Sequence, residues 1–179
     1  NFLPLLEDYH FDIKTTNTFP HSSGIASSAS GMAALAGALL ALENTCLMQP
    51  MSPADFDQKA SFLARLGSGS AARSIQGPMV VWGDHPQIPQ ANNLYGTVYE
   101  QPLDPVFTTY QDTILLVDEG EKVVSSTVGH GLMHDHPYAA ARFDQAQKHL
   151  SDLMPILASG DLMSFSDLVE REALALHAM

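Results

Sequence analysis

The sequence predicts a globular protein of mixed helix and strand, and three observations carry that prediction. A run of small residues leads into a wholly apolar helical stretch near residue 30, short β-rich runs follow in the middle of the chain, and helical periodicity takes over after Ser125. The chain has 179 residues, 45% of them hydrophobic and 16% charged, which is enough to bury a real core in one domain or two small ones.

Phe11 to Asn17 alternates apolar and polar residues and reads as a strand delivering the chain to Pro20. Next comes Pro20-His21-Ser22-Ser23-Gly24-Ile25-Ala26-Ser27-Ser28-Ala29-Ser30-Gly31, then the apolar run Met32 to Leu42. Met32, Leu35, Leu39 and Leu42 are spaced as one helical face, with Ala or Gly filling the other positions. A helix apolar all round is expected to be buried. Ser27 or Ser28 reads as its N-cap. The first turn of such a helix offers free N–H groups and the positive end of the dipole, and small side chains let an anion come close, so phosphate is the expected guest. A Gly/Ser loop before a core helix can also be a plain connection. A second stretch of the same kind, Gly67-Ser68-Gly69-Ser70-Ala71-Ala72-Arg73-Ser74, weighs against that.

Ser52-Pro53-Ala54-Asp55 starts a helix with Ser52 as N-cap and Pro53 at the first helical position. Phe56, Ala60 and Leu63 make its inner face, and Gly67 stops it. Ser68 to Ile75 reads as a loop with a short helical turn, and Gly77 to Trp82 as a β-rich run. His85 to Asn93, with two prolines and two adjacent asparagines, is expected to be an exposed connection. Leu94 to Glu100 and Thr113 to Asp118 are further strands, the second buried on both faces because Ile114 to Val117 does not alternate, and Gly120-Glu121-Lys122 makes a turn. Beyond Ser125, Phe143, Ala146, Leu150, Leu153 and Leu157 mark one helix, which Pro155 is expected to kink or end early. After Ser159-Gly160, with Asp161 as cap, Leu162, Phe165, Val169, Ala173 and Leu176 mark another, and so short a link makes the pair antiparallel.

The formal charge of -12, from 20 acidic residues against 8 Lys and Arg, excludes an extended nucleic-acid surface. An anionic ligand must then be held locally, by backbone amides and a few placed cations such as Arg73, the only Lys or Arg between Arg65 and Lys122. The single cysteine, Cys46, excludes an internal disulfide, favours a reducing compartment and reads as a small buried hydrophobe. No apolar run is long enough to span a bilayer. Asn1 to Asp12 lacks a signal-peptide layout, and Leu174 to Met179 reads as the middle of a helix without a C-cap, so the chain is expected to be a fragment. His130 and His134 stand one helical turn apart, but the further ligands of a zinc pattern are missing and ordinary histidines are expected. Walker, Rossmann and Gly-x-Ser-x-Gly signatures are absent.

The Pro20 to Ala29 stretch resembles the phosphate-binding motif of the GHMP kinase superfamily of small-molecule kinases. Its pairing with Gly67 to Ser74 and with Val123-Val124-Ser125-Ser126-Thr127 is similar to the diphosphomevalonate decarboxylase family within it, over nearly the whole chain from Asn17 onward. The resemblance implies an α+β fold. Residues 1–110 would be the second part of an N-terminal domain like ribosomal protein S5 domain 2, and residues 111–179 the beginning of a ferredoxin-like C-terminal domain. It implies ATP-dependent decarboxylation of mevalonate 5-diphosphate to isopentenyl diphosphate, with ATP and Mg²⁺ as cofactors, in a cytoplasmic homodimer. Ser23, Gly24, Ala26, Ser27 and Ser28 would bind ATP, with Ser28 also meeting the metal. Ser68, Ser70, Arg73, Ser126 and Thr127 would bind substrate, Thr127 standing where some members carry arginine. Arg73 would act in catalysis by clamping the substrate carboxylate through its planar fork.

The family's lysine-bearing N-terminal motif and late aspartate motif have no counterpart in these residues, so this chain alone is expected not to turn over substrate. Missing strands would leave sheet edges open to self-association. Two other readings stay open: a GHMP-type kinase that phosphorylates mevalonate or a phosphomevalonate without decarboxylation, and a non-catalytic ligand-binding or oligomerising module.

Overall fold

The computed structural model describes residues 2–19, 25–46, 48, 50–115 and 126–178; the side chains of Ser126, Thr127, His130 and His177 lie outside that description. The described residues up to 99 form one compact unit and those from 100 onward a second. The elements run in the order α1 (Leu5–Asp8), α2 (Ser27–Cys46), α3 (Pro53–Gly67), a 3-10 helix (Gly69–Ser74), β1 (Val80–Val81), β2 (Thr97–Val98), a second 3-10 helix (Pro105–Thr108), α4 (Ser126–Gly131), α5 (Ala139–Ser159) and α6 (Leu162–His177). No helix among the described residues is long and apolar enough to cross a membrane.

In the first unit α2 packs on α3 through small side chains. Ala29, Ala33, Ala36 and Leu40, spaced four, three and four apart, form the buried stripe of α2, and Ala60 and Ala64 are the buried alanines of α3. This corrects the expected Met32, Leu35, Leu39, Leu42 face: Met32 and Leu39 flank the contact, while Leu42 is exposed, so α2 is not buried all round. Alanine faces let two helix backbones approach closely, and the bulkier side chains fill the margins. Glu43, at the end of the buried stripe, is held by Lys59 Nζ at 2.7 Å.

α3 begins as its sequence requires. Ser52 Oγ accepts the Asp55 N–H at 3.2 Å, Pro53 fills the first helical position, and the helix stops at Gly67. Ser61, in mid-helix and fully buried, donates through Oγ to the Ala72 carbonyl at 2.6 Å and accepts the Gly96 N–H at 2.8 Å. One hydroxyl thus ties α3 to the 3-10 helix and to the segment entering β2. Gly96 is required there, because a Cβ would stand 2.5 Å from the Ala72 carbonyl oxygen and 2.8 Å from Val80 Cγ1.

The β content is far smaller than expected. The Gly77 to Trp82 and Leu94 to Glu100 runs shrink to β1 and β2, which pair antiparallel with Val80 opposite Val98 and Val81 opposite Thr97. Phe11 to Asn17 has no regular structure, and neither do Thr113 to Leu115, where Ile114 and Leu115 are exposed instead of buried; Leu116 to Asp118 and the Gly120 to Lys122 turn lie outside the described residues. A strand exists only through a hydrogen-bonded neighbour, and among the described residues none lies beside either segment. The His85 to Asn93 connection is not simply exposed. His85, Ile88 and Ala91 are buried at a period of three, matching successive i to i+3 turns in which the Ile88 and Ala91 N–H groups donate to the His85 and Ile88 carbonyls at 3.1 and 2.9 Å. Cys46, expected to be buried, is exposed at the end of α2.

In the second unit α5 runs through Pro155 to Ser159. The proline removes one rung only, and Gly160 ends the helix a turn later with φ 75° and its N–H on the Ile156 carbonyl at 3.1 Å. Asp161 caps α6, accepting the Ser164 N–H at 3.1 Å and the Ser164 hydroxyl at 2.7 Å. These bonds hold its carboxyl below the ordinary aspartate value. The two helices are antiparallel: Arg142 and His149 of α5 both reach Glu172 of α6, with His149 Nδ1 donating at 2.6 Å, and Leu157 and Leu168 are buried. Phe165 packs against Phe107 at 5.0 Å and Tyr110 at 5.6 Å between ring centroids.

Partial burial raises the Glu172 carboxyl, but the hydrogen bonds and charges of His149 and Arg142 outweigh that and hold it below the ordinary value. Its contribution to stability is therefore present above the unfolded value of 4.5 and lost as pH falls through the lower folded value. Thermal melts followed downward through this range are expected to show a loss of stability that Glu172→Gln removes. Gly96→Ala is expected to cost about 1–3 kcal/mol in urea unfolding, because the methyl collides with backbone that cannot swing aside.

Candidate active site

The two Gly/Ser loops meet. At the first, Ala26 adopts φ 58°, a left-handed conformation rare for a residue with a Cβ. Its carbonyl accepts the Ser30 N–H at 3.1 Å, which makes Ala26 the N-cap and places Ser27 and Ser28 in the first turn of α2. The expectation that Ser27 or Ser28 caps the helix is corrected, since the chain turns one residue earlier. Ser30 Oγ donates to the Ser27 carbonyl at 3.1 Å. Ser28 Oγ lies 3.4 Å from Ser68 Oγ, so a hydroxyl of each loop touches the other. Ser23 and Gly24 lie outside the described residues.

The second loop is shaped by the core beneath it. Ser68 donates its N–H to the Ala64 carbonyl at 3.0 Å and accepts the Ala71 N–H at 2.9 Å, winding Gly69–Ser74 into the 3-10 helix. Ala71 and Ala72 are buried at 0% and 1% exposure, which turns Ser70, Arg73 and Ser74 outward. Ala26, Ser70, Arg73, Met79 and Val80 line one open cleft of about 410 Å³. No ion pair to a described residue occupies Arg73, so its planar fork is available to a carboxylate or phosphate. Ser126 and Thr127 begin α4 in the second unit, and their side chains lie outside the described residues. Among the described residues no group of three or more His, Cys, Asp or Glu is placed to hold a metal ion.

Two residues of this neighbourhood were not singled out by sequence reasoning. Ser61 has no local signature, because its partners lie 11 and 35 positions away. Trp82, the single tryptophan, lies over Gly69, where a Cβ would stand 3.1 Å from the indole, and its Nε1–H donates to the Asn93 carbonyl at 3.1 Å. Its uniqueness beside a Gly-rich loop was the available signal.

Residues 4–91, which include both described loops, match the family described as diphosphomevalonate decarboxylase-like N-terminal domain. The chain is 30% identical over 184 aligned residues to a diphosphomevalonate decarboxylase of Debaryomyces hansenii, covering 99% of this chain and 43% of that protein. The chain thus resembles diphosphomevalonate decarboxylases, over residues 4–91 in the domain match and along nearly its whole length in the longer alignment. A diphosphomevalonate decarboxylase of Ganoderma lucidum is 44% identical over 80 residues, covering 45% of this chain and 18% of its own length. The crystal structure of a mevalonate diphosphate decarboxylase from Legionella pneumophila superposes with a TM-score of 0.68 at 28% identity, covering 90% of this chain and 46% of that one. The chain thus spans less than half the length of these relatives. The fold is the α+β fold of GHMP kinases.

The indole over Gly69 reports on the shape of the second loop. Gly69→Ala is expected to shift the tryptophan emission, because the added methyl would press on the indole at 3.1 Å. Trp82→Phe is expected to abolish the signal.

Proposed function

We propose that this chain forms part of an ATP-dependent carboxy-lyase that converts mevalonate 5-diphosphate to isopentenyl diphosphate in isoprenoid synthesis. The observation that carries the reading is the convergence of the two loops on a cleft bearing Arg73, a cation without an ion pair to any described residue. Residues 1–110 supply the second part of the phosphate-binding domain, and residues 111–179 begin the next.

In this reading Arg73 grips the substrate carboxylate with two parallel N–H donors. A carboxylate held still keeps the bond to be broken aligned with the departing group on the neighbouring carbon, so that carbon dioxide leaves as the double bond forms. Ser68 and Ser70 donate to the substrate, with Gly67 and Gly69 letting the backbone come close. The start of α2 suits ATP: Ala26 and Ala29 line the cleft without bulk, and the Ser27 and Ser28 hydroxyls add oxygens of the kind Mg²⁺ takes. Ser23 and Gly24, three and two residues before Ala26 in the sequence, are the further ATP contacts of this reading. ATP, bound with Mg²⁺, supplies the phosphoryl group that turns the tertiary hydroxyl into a leaving group.

We place the protein in the cytoplasm, where the exposed thiol of Cys46 stays reduced, and as a homodimer, as the family resemblance implies. The test is ATP-dependent carbon dioxide release by the full-length protein. Arg73→Ala is expected to lower kcat/KM for mevalonate 5-diphosphate by about 10- to 100-fold, the worth of one charge-assisted pair. Unchanged carbon dioxide release in that variant sinks the role of Arg73. A stable phosphorylated acid as product points instead to a kinase that does not decarboxylate.

A further inference from the structure

We infer that Ser61, a buried residue of α3 outside the cleft, is the positioning residue that sets Arg73 for a carboxylate-bearing substrate; this rests on the reading of the cleft given above. Arg73 has no ion pair to a described residue, so what the fold fixes is the backbone from which its side chain reaches. The peptide group that launches it is the one joining Ala72 to Arg73, and it is gripped from two sides. Ser61 Oγ donates to the Ala72 oxygen at 2.6 Å, and the backbone of Gly96 lies so near that oxygen that a Cβ there would come within 2.5 Å. The Gly96 N–H in turn donates to Ser61 Oγ at 2.8 Å, which leaves the hydroxyl proton committed to Ala72.

The choice of serine is informative. A mid-helix Ser ordinarily bonds back to its own helix or faces water, whereas Ser61 is 0% exposed and reaches 11 residues along the chain. Burying a hydroxyl is costly unless its bonds are made, and this one meets two backbone groups, the Ala72 carbonyl and the Gly96 N–H, that alanine would leave without it. Directionality is what the hydroxyl adds. A fixed carbonyl plane fixes the direction in which the next Cα, that of Arg73, leaves the 3-10 helix. Without it, apolar packing of Ala71 and Ala72 still holds the segment in place but leaves that plane free to rock.

The experiment is a double-mutant cycle in the full-length protein, with mevalonate 5-diphosphate and ADP as separate probes. Ser61→Ala is expected to weaken mevalonate 5-diphosphate about tenfold, through an Arg73 aimed off its target, and to leave ADP affinity within about twofold. Combined with Arg73→Ala, it is expected to add nothing to the loss from Arg73→Ala alone, because the hydroxyl acts through that side chain. A general loosening of the fold behaves differently, persisting in the Arg73→Ala background or weakening both ligands alike. Either result overturns the inference, as does unchanged affinity in Ser61→Ala. If Ser61→Ala does not fold, Ser61→Cys, nearly the same size with a weaker donor, runs through the same cycle with the same criteria. A loss in Arg73→Ala without one at Ser61 defeats this inference alone, while no loss in Arg73→Ala defeats the reading of the cleft on which it rests.

Discussion

The first unit turns on a single buried oxygen. Ser61 Oγ satisfies one donor and one acceptor that come from different stretches of the chain, and in doing so joins α3, the 3-10 helix and the segment that enters β2. Packing alone would leave these segments free to slide, since alanine methyl groups meet at many nearly equivalent offsets. A hydrogen bond with two fixed partners permits one register. The rest of the site inherits it: Ser68, Ser70 and Arg73 lie within five residues of the anchored Ala72 carbonyl.

The second constraint is distance. Alanine on α2 and on α3 brings two backbones together, and the loops at their ends are drawn together in consequence. The Ser28 and Ser68 hydroxyls touch because α2 starts where α3 stops. The small residues of the loops then serve a different end from those of the helices, leaving room for a ligand rather than for a neighbouring backbone. Both uses of small side chains come from one composition, which is why the first Gly/Ser stretch and the core helix read as continuous in the sequence.

Features with local causes were legible in the sequence. Ser52 and Pro53 announce α3, Gly67 ends it, and Asp161 caps α6, each through contacts within four residues. The two loops were legible, because Gly and Ser at those spacings are written in the chain. What depends on distant partners was not. Phe11 to Asn17 has the alternation of a strand and nothing among the described residues to pair with. The α2 stripe was misread because leucine outranks alanine in hydrophobicity, while backbone approach selects for size. The prolines and asparagines of His85 to Asn93 signalled turns correctly but hid an inward-facing His85, Ile88 and Ala91. Ser61 carried no signal at all, since a serine among helix formers looks the same whatever it bonds.

Ala26 holds a further consequence. A left-handed alanine lies about 1–2 kcal/mol above its relaxed state, and glycine would lift that burden. Glycine would also multiply the shapes open to the loop, so every molecule would spend less of its time in the observed turn. The methyl group therefore exchanges a little enthalpic comfort for narrower wandering, and the hinge arrives already bent.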